Sequence, residues 1–90
     1  TALLLAVEVI SPSSVRTDRV EKREFYLGAG VAEYWVMDLE ARMVELWTPE
    51  RHTPLVTRGI LRWTPSGAQS ELLIDLPAFF DNVSARLRRR

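Results

Sequence analysis

The stretch that most limits what this chain can become is "LLLAVEVISPSS", residues 3 to 14. Seven of its first eight residues are apolar, the pattern of a strand buried on both faces, and Glu8 lies among them. An ionised carboxylate in an apolar interior is costly. Glu8 must therefore be neutralised, hydrogen-bonded, paired with a cation or bound to a metal. Strand alternation places Leu3, Leu5, Val7 and Val9 on one face and Leu4, Ala6, Glu8 and Ile10 on the other, so the neighbours of Glu8 on its own face are apolar. Pro12 ends the run, because it lacks a ladder donor and restricts the residue before it.

Further along, Thr17 reads as the cap of a helix from Asp18 to Leu27, with Glu21 near the first turn as a capping partner and "GAG" at 28 to 30 as the stop. "EYWVMDL" (33–39) and "RMVELW" (42–47) are rich in branched and aromatic residues and flank a short connection, which predicts a hairpin. "PLVTRG" and "ILRWT" read as further strands of the same meander, broken near Gly59. "ELLIDL" is a short extended segment, and "PAFFDNVSARLRRR" opens a helix with proline. The expected fold is a single α+β domain over residues 1–90, a mixed sheet flanked by helices.

Composition narrows the function. Ninety residues make one small domain, and a chain of that size buries only about 60–65% of its unfolded surface, so a deep cleft is hard to build from it alone. The formal net charge of zero excludes an overall basic field, and any contact with a polyanion has to be local. There is no cysteine, which removes disulfides, thiolate zinc sites and thiol nucleophiles and fits a reducing cytoplasm. No apolar run approaches the roughly 20 residues of a membrane helix. A cytoplasmic chain without membrane contact is expected. Its sequence starts at Thr1 and enters a strand almost at once, which suggests a piece of something longer.

Among the charged residues, Lys22 lies on the first helix near Phe25 and Tyr26, one turn after Asp18, and can reach inward. A strand glutamate and a lysine from the following helix can meet over the strand's end, where open α/β sheets place their ligands. The alternatives are a structural Glu8–Lys22 pair, or an Asp18–Lys22 surface pair with Glu8 on backbone amides. Asp38 ends the second strand, where it can accept turn amides. Tyr26, Tyr34 and Trp35 have core spacing, although a base-stacking platform has the same composition. His52 lies in a polar turn. Arg86, Arg88, Arg89 and Arg90 suit a solvated helix end, or contacts to phosphate.

"VEVISPSS" followed by "DRVEKREFYLGAGVAEYWVMDLEARMVELW" resembles the Uma-two family of bacterial endonucleases, over nearly all of residues 7 to 47, and "ELLIDLPAFF" is similar to the family's closing strand and helix. The resemblance implies a restriction-endonuclease-like fold of the PD-(D/E)xK superfamily and Mg²⁺-dependent, or Mn²⁺-dependent, hydrolysis of a DNA phosphodiester. It implies Glu8 and Lys22 as catalytic residues and Glu8 as metal ligand. Apart from the resemblance, Asp18 is near enough in sequence to be a replacement ligand, against a helix cap or a partner of Lys22 or Arg19, and Asp38 is a further candidate against its turn role. Ile10 stands where the wider superfamily carries its lysine. The family's aspartate upstream of the glutamate has no counterpart in residues 1–7. The expectation is therefore an endonuclease domain lacking the family's N-terminal part, weak or inactive alone and completed as a homodimer or other oligomer. The alternative is a non-catalytic interaction module on the same fold.

Overall fold

The computed structural model describes residues 4–10, 16–65 and 67–88, with the side chains of residues 16–19, 87 and 88 excepted. β1 (Leu5–Ile10) leads into α1 (Arg16–Gly28) and back to β2 (Glu33–Asp38). β1 and β2 run parallel, with Leu5 opposite Glu33 and Ile10 opposite Asp38, and the intervening helix is the crossover that a parallel pair requires. β3 (Met43–Trp47) returns antiparallel on β2, and β4 (Leu55–Thr57) on β3, giving the order β1-β2-β3-β4. β5 (Ile60–Trp63) and β6 (Leu72–Asp75) form a second, antiparallel sheet, followed by α2 (Leu76–Arg88).

The mixed α+β architecture and the 33–47 hairpin stand as expected, but the meander is shorter. β5 pairs with β6 rather than with β4, because the chain turns at Gly59, whose carbonyl accepts the Leu76 amide at 3.1 Å. That turn carries β5 into a separate layer. Leu61, Leu76 and Phe80 then pack over Trp35, Met37 and Val44 on one face of the four-stranded sheet. On the other face Tyr26 and Leu27 of α1 cover Ile10, Tyr34, Val36 and Trp47. β2 lies between both layers, so four successive residues, Tyr34 to Met37, are buried and the strand reads as one apolar run.

β1 differs from its sequence pattern. Burial on both faces was expected, yet Val7 and Val9 are 46% and 55% exposed. The reason is position: among the described residues β1 pairs only with β2, and the α2 layer reaches it only at Leu5. The expected turn at 11–14 lies outside the described residues, as do Arg89 and Arg90.

Helix ends hold the frame. α1 begins at Arg16, two residues earlier than expected, so Thr17 is inside the helix rather than capping it. Its C-terminus is a Schellman motif: the Val31 amide bonds the Tyr26 carbonyl at 3.3 Å and the Gly30 amide the Leu27 carbonyl at 3.2 Å. Gly30 takes φ 92°, a conformation that suits glycine, and Val31 is buried just beyond. At α2, Asp75 Oδ1 accepts the Ala78 amide at 3.1 Å as the N-cap, and Pro77 occupies the first turn, where no intrahelical donor is lost. In the β2–β3 turn Arg42 adopts φ 55°. Its guanidinium bonds Asp81 at 2.6 Å and the Pro77 carbonyl at 3.2 Å, which ties this turn to α2.

Candidate active site

Strand alternation and the crossover together build the site. Ala6, Glu8 and Ile10 of β1 face α1, and the parallel register sets Glu8 beside Val36 and Ala6 beside Tyr34. Lys22 and Tyr26 are four residues apart on α1 and share one helix face. The helix runs back along the sheet, so Lys22 meets Glu8 and Tyr26 meets Tyr34 in adjacent layers. Lys22 Nζ donates to Glu8 Oε1 at 2.7 Å, and the Tyr26 and Tyr34 rings stack with centroids 5.4 Å apart.

The Glu8 side chain is 24% exposed and that of Lys22 42%, so the pair has apolar walls and an open side. A carboxylate placed this way retains access to water and to an incoming ligand. An ammonium 2.7 Å away can hold that carboxylate or turn its charge toward an anion. Tyr34 is wholly buried, and its hydroxyl has no hydrogen-bond partner. Burial, then the Glu8 charge, pushes its pKa up to about 12, against the lowering effect of Lys22 and Arg23.

The same sheet face continues beyond Glu8. Val36, its register neighbour, also lines a cleft of about 350 Å³ with Val20, Arg23, Glu45, Trp47 and His52. Arg23 lies over the Trp47 ring at 4.1 Å, and Glu45 accepts the Trp47 indole N–H at 3.3 Å. The cleft thus offers a cation and a carboxylate next to the Glu8–Lys22 pair. Sequence reasoning did not single out Arg23 or Glu45. The signal was register: Glu45 lies opposite Val36, which lies opposite Glu8.

The remaining sequence candidates separate. Asp38, beside Ile10 at the strand ends, accepts the Ala41 amide with Oδ1 at 2.9 Å, the turn role open to it from sequence. Asp18 belongs to α1 one turn before Lys22, but its side chain lies outside the described residues. His52 is exposed at the cleft margin. Tyr34 and Trp35 are core residues, on opposite faces of β2, and so form no common stacking platform. Arg86 is exposed near the end of α2. Among the described residues no three His, Cys, Asp or Glu side chains gather as a metal cage.

A parallel strand–helix–strand unit with a carboxylate and an ammonium joined over its sheet defines a site-bearing mixed α+β domain. The chain belongs to the Uma2 family: that family's model, described as "Putative restriction endonuclease", matches residues 1–84. The fold is also similar to a crystal structure from Anabaena variabilis ATCC 29413 described as "a putative nuclease belonging to DUF820", with TM-score 0.70 and 19% identity. That match covers 88% of this chain and 45% of the other, so the chain spans less than half the length of that relative. No curated protein matches the chain.

Proposed function

We propose that the chain carries part of a metal-dependent nuclease centre acting on a phosphodiester of DNA, with Glu8 and Lys22 as its reacting groups. The observation that carries the reading is the half-exposed contact between Lys22 Nζ and Glu8 Oε1 at 2.7 Å, in a chain of this family. Mg²⁺ is commonly held by one or two carboxylates, with waters and substrate phosphate filling the remaining positions. Glu8 fits one such position, and among the described residues no three His, Cys, Asp or Glu side chains gather around it.

When bound, Mg²⁺ or Mn²⁺ supplies polarisation of the phosphoryl oxygen and acidification of a water. The chain's own groups do the rest. Glu8 fixes the hard oxygen ligand at the strand edge. Lys22 donates to a non-bridging phosphate oxygen and balances the charge that develops there. Ala6, Ile10 and Tyr34 wall the site on the sheet side and limit water around Glu8. Because the net charge of the chain is zero, attraction to DNA is local, from Lys22 and Arg23 on neighbouring positions of α1.

One specific observation favours a second reading, a non-catalytic interaction module. Val7 and Val9 are exposed on a strand that pairs on one side only among the described residues, which suits assembly with a second copy as a homodimer. No described helix is long and apolar enough to cross a membrane. The two readings separate on an activated diester, which needs little binding surface. With bis(p-nitrophenyl) phosphate and Mn²⁺, slow hydrolysis that disappears in both Glu8→Gln and Lys22→Met supports the nuclease. Hydrolysis at the metal-only rate in all three proteins rejects it.

A further inference from the structure

Tyr34 is the one described buried side-chain polar atom left without a partner, and its surroundings are specific. A buried hydroxyl is normally satisfied, so an orphan next to a reacting pair asks for a reason. The ring cannot swing out to water, because Tyr26 stacks on it with planes 26° apart and the residue has no exposed surface. Ala6, its register neighbour, is small enough to admit the ring beside β1. Glu8 follows Ala6 by two residues on the same face.

We infer that the Tyr34 hydroxyl is a positioning donor for Glu8, held in reserve while Lys22 occupies the carboxylate and used when Lys22 turns to an incoming phosphate. The inference rests on the reading of Glu8 and Lys22 as a reaction site. The groups acting on Tyr34 are Glu8, Lys22, Tyr26 and Arg23; Lys22 and Arg23 only donate, and of the two that can accept, Glu8 is the charged one, while Tyr26 stacks ring on ring with Tyr34. With its pKa near 12 the phenol keeps its proton throughout the physiological range and can only serve the carboxylate as donor. The stacked ring stays in place, and the Glu8 carboxylate turns toward the hydroxyl once Lys22 leaves it. No proton changes owner. Glu8 then keeps a fixed orientation after Lys22 departs, with one oxygen held by the phenol and the other left for its ligand.

The test replaces the departure of Lys22 by its removal. In thermal melts of the native chain, Tyr34→Phe, Lys22→Met and the double variant, Tyr34→Phe alone leaves the melting temperature unchanged or raises it. Lys22→Met then lowers it by about 4–8 °C more in the Tyr34→Phe background than in the native one, roughly the worth of one hydrogen bond in a domain of this size. By NMR, the Tyr34 hydroxyl proton exchanges slowly and moves downfield in Lys22→Met, and returns toward its native position when Glu8→Gln is added. A purely structural tyrosine predicts neither. Equal losses in both backgrounds with an unmoved hydroxyl resonance overturn the inference. If the double variant does not fold, the resonance in Lys22→Met decides alone. Neither readout uses cleavage: an inactive chain with the coupling intact refutes the nuclease reading, and an active one without it refutes only the role of Tyr34.

Discussion

Lys22→Met distinguishes a pair that holds the fold from one kept for chemistry. A fully buried ion pair loses about 3–5 kcal/mol when one partner is removed, because the other charge is stranded. An exposed pair is worth about 0.2–1 kcal/mol. With side chains 24% and 42% exposed, Glu8 and Lys22 lie nearer the second case: water can reach the carboxylate, and Met retains the apolar stem of the lysine. The expected loss is therefore below about 1.5 kcal/mol. Urea denaturation read by tryptophan fluorescence measures it, since Trp35 and Trp47 report both faces of the sheet. The midpoint should fall with an unchanged slope, which marks a change in stability alone. A loss of about 3–5 kcal/mol that Glu8→Gln with Lys22→Met largely restores would refute the reasoning and assign Glu8 to the fold.

Three further outcomes follow from the same geometry. Mg²⁺ or Mn²⁺ should raise the melting temperature of the native chain modestly, by preferential binding to the folded state, and Glu8→Gln should abolish the rise; equal responses would remove Glu8 from the metal site. Tyr34 has a raised pKa in the folded chain, so its contribution is fully present below pH 10 and is lost as pH rises toward about 12, where the unfolded chain ionises first. That loss amounts to roughly 2–3 kcal/mol, and a Tyr34→Phe chain with the same decline between pH 10 and 12 would contradict the assignment. If the Val7 and Val9 face pairs with a second copy, sedimentation at micromolar concentration should show a dimer that Val9→Lys dissociates, whereas a compact monomer would reject assembly through β1.

Much of this arrangement was legible in local chemistry. The extended apolar run around Glu8, though not its burial, the branched and aromatic runs of β2 and β3, and the glycine stop at Gly30 each act over a few residues, and the structure follows them. The start of α1 was not, because Arg16 and Thr17 carry no signal that outweighs a cap residue. The second sheet was not, since pairing β5 with β6 rather than β4 depends on a turn at Gly59 and on packing of Leu61 against Leu76 and Phe80. At the site, Glu8 could be named because a charge in an apolar run is conspicuous in sequence, and Lys22 because its helix position near Phe25 and Tyr26 lets it reach inward and the family resemblance points to it. The cleft residues Arg23 and Glu45 could not, because each looks like an ordinary surface charge until the register of three strands puts them beside Val36. Asp38 had two readings in sequence, and its bond to the Ala41 amide supports the turn.

The central claim is that Glu8 and Lys22 act together on a phosphodiester, and conversion of supercoiled plasmid to the nicked circle tests it most directly. The native 90-residue chain, Glu8→Gln and Lys22→Met are incubated with Mg²⁺ or Mn²⁺ and with chelator, at matched concentration and after each is verified as folded. The account predicts slow nicking by the native chain alone, abolished by chelator and by either substitution. Absence of nicking with either metal, or nicking that survives Glu8→Gln, would contradict it.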